Sequence, residues 1–192
     1  MFVDKNYSTF KLSDIAESWQ KGQPFKKDAI NPKGVFPCIH YGELFTQYDV
    51  FIDEVVSKTN AEKLRTSKTG DILFPASDVT PAGLTKCSAL LLDDVILGGD
   101  IITMRPKTGN NSVYLSYAIR MEKEQLLSRI TGSVVRHISA KALQTVKIVV
   151  PPIAEQDKFE ALIRQSDKSK LFGAMHRIQH ITGGYTCLVK QI

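Results

Sequence analysis

Apolar positions fall in short runs or alternate with polar ones up to about residue 107, and only later recur at helical spacing. "TFKLSDIAESWQKGQPF" reads as a short strand and then a helical turn over 13–19. Ser13 is its N-cap, Glu17 sits in its first turn, and Gly22 and Pro24 end it. "GVFPCIHYGELF" reads as a strand entering a loop, its backbone restricted by Pro37. In "GDILFPASDVT" the Gly70-Asp71 pair signals a turn, and Ile72 and Phe74 alternate with their neighbours as in a strand. "CSALLLDDVILGGDIITMRP" adds two apolar runs broken at Asp93-Asp94 and Gly98-Gly99. Short strands between such turns predict a compact, bent β-structure rather than a doubly wound sheet.

Helical periodicity begins at "NNSVYLSYAIRMEKEQLLSRITG". Asn111 or Ser112 caps it, and Tyr114, Tyr117, Ala118 and Met121 share a face. Leu127 and Ile130 extend that face, and Gly132 falls where a left-handed C-terminal residue belongs. "GSVVRHISAKALQTVKIVV" reads as a loop, one helical turn and a last strand. Pro151-Pro152 closes that pattern; Pro152 suits a helix start and Glu155 complements the dipole of the first turn. From Ile153 to about His180 there is no proline and one glycine, Gly173. A helix of about 28 residues is ~42 Å long, more than a compact domain of this size needs. Its apolar residues Ile153, Phe159, Leu162, Ile163, Leu171, Met175 and Ile178 form a thin seam, interrupted at Ser166 and Lys170. Such a seam suits a second helix better than a broad core. The pattern predicts a domain over 1–150, a long spacer or dimerisation helix over 151–182, and a tail over 183–192.

Composition changes this picture little. With 192 residues, 43% apolar and 23% charged, the chain can bury a core without staples. Its net charge of +5 suits a polyanionic partner without requiring one. Cys38, Cys87 and Cys187 form no C-x-x-C pair, which predicts reduced thiols rather than a disulfide scaffold or zinc ribbon. "MFVDKNYSTF" lacks the pattern of a signal peptide and no run of 18 apolar residues occurs, so a cytoplasmic location with no membrane contact is expected.

Catalytic motifs are missing. A DNA adenine methyltransferase needs a polar residue before Pro-Pro and an aromatic after it, whereas here the run is Val150-Pro151-Pro152-Ile153. No glycine-rich cofactor turn, P-loop or G-x-S-x-G elbow is present, so neither a catalytic residue nor a cofactor is expected. His176 and His180 lie four apart, but Arg177 stands where a metalloprotease has glutamate, and no metal is expected.

Two regions suit DNA. In "TGSVVRHIS", Gly132 and Ser133 permit close approach to a phosphate, Arg136 can fork onto guanine O6 and N7, and His137 can accompany it. The same run also reads as a strand of Val134, Val135 and Ile138 whose arginine is merely solvated. The second region, Lys58 to Lys68 with Lys63 and Arg65, joined by Lys86, Arg105 and Lys107, would neutralise phosphates. A solvated charged surface is the alternative for each. Tyr41, Tyr48, Ser77 and Thr80 lie near turns and can hydrogen-bond phosphates or bases.

In order along the chain, "KLSDIAESWQKGQPF", "TGDILFPASDVTPAG", "VILGGDIITMRPK", "YLSYAIR", "TGSVVRHISAKALQTVKIVVPP" and "IAEQDKFEALI" resemble the specificity (S) subunit of type I restriction-modification systems over residues 9–180. That resemblance implies an α+β target recognition domain with a bent, mostly antiparallel sheet and flanking helices, followed by a long coiled-coil-type helix acting as a ruler. It implies double-stranded DNA as ligand, and modification (methyltransferase) and restriction (motor-nuclease) subunits as partners that hold the chemistry. Full subunits carry two recognition domains and two such helices, whereas one of each is found here. A homodimer, or pairing with another half-subunit, would then read a bipartite target. The rival expectation is a helix-mediated interaction module that competes for the modification subunit without reading DNA.

Overall fold

The computed structural model describes residues 7–25 and 27–165. The chain opens with β1 (Thr9–Lys11), α1 (Leu12–Ile15) and β2 (Ala16–Lys21), then β3 (Phe36–Ile39) and α2 (Glu43–Thr46). Next come β4 (Phe51–Ile52), β5 (Lys58–Thr59), β6 (Asp71–Pro75) and β7 (Ser77–Asp78). β8 (Ser88–Leu90), β9 (Ile96–Leu97) and β10 (Ile101–Pro106) complete the strand-rich part. Thereafter follow α3 (Ser112–Met121), α4 (Lys123–Leu127), β11 (Arg136–His137), α5 (Ala140–Leu143), β12 (Lys147–Val149) and α6 (Ile153–Gln165).

A five-stranded sheet of order β2-β10-β6-β8-β4 forms the centre, antiparallel except where β4 runs parallel to β8. A second sheet, β5-β3-β9, pairs β3 antiparallel to β5 and parallel to β9. The register of β10 on β2 slips between Arg105 and Pro106. The mostly antiparallel sheet expected from the sequence is present, and the fold is mixed α+β.

The alternation read for β6 is corrected: all five of its residues are buried. Ile72 and Phe74 point into a core shared with α3 residues such as Tyr114 and Ala118, while Leu73 joins Ile39, Leu97 and Ile101 on the opposite side. Because successive side chains face opposite ways, a strand covered by helices on one face and by another sheet on the other is apolar on both faces over its centre, here Ile72, Leu73 and Phe74. Burial pushes the Cys38 thiol up to about 11 and the Cys87 thiol up to about 12, so both behave as small apolar groups.

Other boundaries shift for local reasons. Instead of a helix over 13–19, α1 ends at Ile15, and Glu17 and Trp19 lie in β2 against β10. Ser13 is not the cap; the Lys11 N–H donates to the Asp14 carboxylate at 3.0 Å. Gly22 lies where a Cβ would come within 1.8 Å of the Gly98 carbonyl oxygen, so it serves a close approach of two backbones. Asn111 caps α3, accepting from the Tyr114 N–H at 3.0 Å. The expected continuous helix breaks at Glu122, and Leu126 rather than Leu127 is buried. Gly132 does have positive φ, at 91°, but it lies five residues past α4. There it turns the chain between Thr131 and its bridge partner His137.

The helix after Pro151-Pro152 starts as expected but meets an unexpected surface. Phe159 and Ile163 are buried in the main core, with the Phe159 ring 5.5 Å from Tyr114 and 4.7 Å from Tyr117. Gln156 is buried too: its side chain accepts from the Asn111 N–H at 2.9 Å and donates to the Pro151 carbonyl at 2.8 Å. The first turns of this helix thus belong to the domain, and the boundary at 150 moves past them. Ile153 and Leu162 are exposed, but at 100° per residue they lie about 180° apart around the axis. No continuous apolar stripe is left open on α6, which removes Phe159 and Ile163 from a pairing seam. Leu171, Met175, Ile178, His176, His180 and Cys187 lie outside the described residues.

Candidate nucleic-acid interface

Most of the polar residues singled out in the sequence fall into three places. The first is a ribbon. β11 pairs antiparallel with β7, Arg136 opposite Asp78 and His137 opposite Ser77. Two stretches some sixty residues apart, each singled out separately, are thereby joined. Gly132, with its positive φ and its missing Cβ only 2.3 Å from the Val135 carbonyl oxygen, makes the tight turn that returns the chain into β11. The Arg136 guanidinium reaches the Gly132 carbonyl at 3.5 Å, at the limit of a hydrogen bond, and its Nε is buried without a partner. Its donors are largely unspent. His137 and Ser133 are exposed. Ser77 is buried and donates to Asp100 at 3.2 Å, so it anchors the ribbon rather than offering a hydroxyl to DNA. Thr80 is exposed but its hydroxyl donates to Asp78 at 2.6 Å, shaping the turn that follows β7.

The second place is an open cleft of about 820 Å³ lined by Lys21, Lys27, His40, Tyr41, Arg65 and Asp100, whose carboxylate lies 3.9 Å from the Lys21 ammonium. The Arg65 Nη1 donates to the Lys21 carbonyl at 2.7 Å, which fixes the arginine across a separation of 44 residues. Tyr41 stacks at a tilt on His40, 4.5 Å between ring centres. Burial lowers the His40 pKa from 6.5; Glu43 opposes this and Lys27 reinforces it. The neutral ring accepts the Gly42 N–H on Nδ1 at 3.2 Å. Tyr48 lies apart, its pKa pushed up to about 12 mainly by burial.

The third is a smaller cleft of about 250 Å³ that gathers Lys68, Arg105 and Lys107 beside Glu17 and Ser112. Arg105 is not a free phosphate ligand: it forks onto the buried Asp71, Nε to Oδ1 at 2.8 Å and Nη2 to Oδ2 at 2.9 Å. Removing one partner of such a pair strands the other, which makes this a structural clamp between β6 and β10. Lys107 donates to the Asp14 carbonyl at 2.8 Å and Lys86 to the Phe45 carbonyl at 2.9 Å, so both also tie the fold. Lys63 lies over the Phe36 ring at 4.7 Å. Lys68 and Lys58 are exposed.

Sequence reasoning missed Lys21, Lys27 and His40 in the large cleft. It also missed Val79, exposed beside the ribbon. No local signal marks them, because what joins them is pairing between distant segments. Among the described residues no group of three or more His, Cys, Asp or Glu side chains could hold a metal ion, and no helix is long and apolar enough to cross a membrane.

Solved structures share this architecture. The chain is similar to one described for complex assembly and conformational transition of the type I R-M system (TM-score 0.63, 19% identity, 94% of this chain and 43% of that one). It is also similar to the HsdS subunit from Thermoanaerobacter tengcongensis (TM-score 0.59, 19% identity, 92% and 41%). The S subunit of the type I restriction-modification system from M. genitalium gives a TM-score of 0.57 at 11% identity, over 83% of this chain and 39% of that one. At these identities the likeness speaks for the fold, and the chain spans about two fifths of the length of those it matches. No curated protein matches it in sequence. The type I restriction modification DNA specificity domain matches residues 4–171, and with that the chain belongs to this family.

Proposed function

We propose that this chain is a base-reading lobe of a type I restriction-modification assembly, recognising duplex DNA while methylation and cleavage reside on modification and restriction subunits. The observation that carries the reading is the β7–β11 ribbon, which holds Arg136 beside His137 and leaves the Arg136 Nε without a partner, in a chain of the specificity-domain family. Arginine forked onto guanine is the commonest specific contact in the major groove, and that groove admits a two-stranded ribbon. Lys21, Lys27 and Arg65 in the large cleft, with the exposed Lys63 and Lys68, supply phosphate contacts that fix register without reading sequence.

Two lobes are needed for a bipartite target. In this proposal a second copy, or another half-subunit, pairs through the chain beyond Gln165, with Leu171, Met175 and Ile178 as the seam. The base of α6 is built into the lobe through Phe159 and Ile163. Two identical lobes related by a two-fold axis read two inverted copies of one half-site across a fixed spacer. Selection of bound duplexes from a random pool, using the chain assembled with modification subunits, tests this. Inverted half-sites at constant spacing are expected; a single asymmetric site contradicts the pairing, and no sequence enrichment contradicts DNA reading.

A further inference from the structure

Three large apolar side chains stand in water at one end of the ribbon. Val134 is 79% exposed, Val135 47% and Val79 69%. Val135 precedes Arg136 and Val79 follows Asp78, and Arg136 and Asp78 are register partners, so these two valines lie at the same end of the antiparallel pair. Single exposed valines are ordinary on a soluble protein. Three of them lie at the same end of the ribbon as Arg136, whose guanidinium makes one long contact, to the Gly132 carbonyl, and whose Nε has no partner. Nor is the turn slack: Gly132 locks it through positive φ and contact with Val135, and Thr131 and His137 exchange hydrogen bonds of 2.9 and 2.8 Å across its base. The Asp78 carboxylate is engaged by the Thr80 hydroxyl and the Val79 N–H, which holds this acid in its own turn.

An apolar tip beside a forked donor matches one surface in particular. In the major groove thymine presents a C5-methyl group and guanine presents N7 and O6, and strands about 4.8 Å apart fit a groove about 12 Å wide. We infer that the tip formed by Val134 and Val135 reads thymine methyl groups next to the guanine bound by Arg136. The half-site then contains a G·C pair flanked by at least one A·T pair whose thymine methyl meets a valine. Valine has no hydrogen-bonding side-chain atom, so it distinguishes thymine through the methyl group alone.

This inference rests on the reading of the lobe as a DNA recogniser, and the test separates the two. Duplexes selected by the chain assembled with modification subunits are remade with deoxyuridine in place of thymine, one position at a time, which removes only the methyl group. Binding should weaken about fourfold for each methyl that meets a valine. In the assembly carrying Val134→Ser and Val135→Ser, thymine and deoxyuridine duplexes should bind alike. Both positions are exposed, and retained binding to the unmodified duplex shows that the variant is folded. Sequence-specific binding indifferent to deoxyuridine overturns the methyl reading and leaves DNA recognition standing. Discrimination that persists in the double variant places the methyl contact elsewhere and also overturns it. Absence of any sequence preference overturns both.

Discussion

At the seam between α3 and α6, Phe159 packs on two tyrosine rings and Gln156 spends both ends of its amide on the Asn111 N–H and the Pro151 carbonyl. At the ribbon of β7 and β11, valines face water and the Arg136 Nε has no partner. Apolar groups beside polar ones occur in both regions, but in the first every group named here is satisfied within the chain and in the second it is not. A satisfied cluster contributes stability and a fixed orientation. An unsatisfied one on a rigid turn costs some stability and gains only when a complementary surface arrives. The two regions thus differ in kind: the first fixes α6 on the domain, and the second is the surface proposed to meet base edges.

The largest effect expected from breaking this contrast lies at the seam. Phe159→Ala should lower stability by about 3–5 kcal/mol, read as a lower denaturation midpoint in urea. The fraction that remains folded should keep its preferred bases. A change of preferred bases with unchanged stability would mean that α6 reads DNA, which the contrast denies.

Much of the architecture was legible from local signals. Asn111 as a cap, the turn at Gly70-Asp71, and Pro151-Pro152 ahead of a helix each follow from backbone chemistry within a few residues. What stayed hidden depends on distant segments. Periodicity showed that α6 has an apolar stripe, but a stripe does not say whether it meets a second helix or the chain's own tyrosines some forty residues earlier. Arg105 looked like a phosphate ligand because Asp71 stands 34 residues away, on a neighbouring strand. For the interface, the residue types of 132–137 were legible, and their junction with 77–80 was not. That junction is a strand pairing of two residues on each side, too short to leave a pattern.

A smaller effect, belonging to neither region, sharpens the contrast by acting on the large cleft. His40 titrates near 6.5 in the unfolded chain and lower in the fold, where its neutral Nδ1 accepts the Gly42 N–H. Between those two values the unfolded state binds more protons, so stability is complete above about pH 6.5 and declines as pH falls through that window. Melting temperatures from pH 8 to 5 should show the decline, and His40→Gln should flatten it. An unchanged slope in that variant would assign the acid sensitivity to another group.

The most direct test of base reading by the ribbon is a pair of selections from one random duplex pool, with the assembled complex carrying Arg136→Ala or Lys68→Ala. The account predicts that Arg136→Ala loses preference at one G·C pair of each half-site, a discrimination of about 1–3 kcal/mol. Lys68→Ala should keep the whole consensus and lose about one unit of salt-dependence slope. An unchanged consensus from Arg136→Ala would contradict the assignment of base reading to the β7–β11 ribbon.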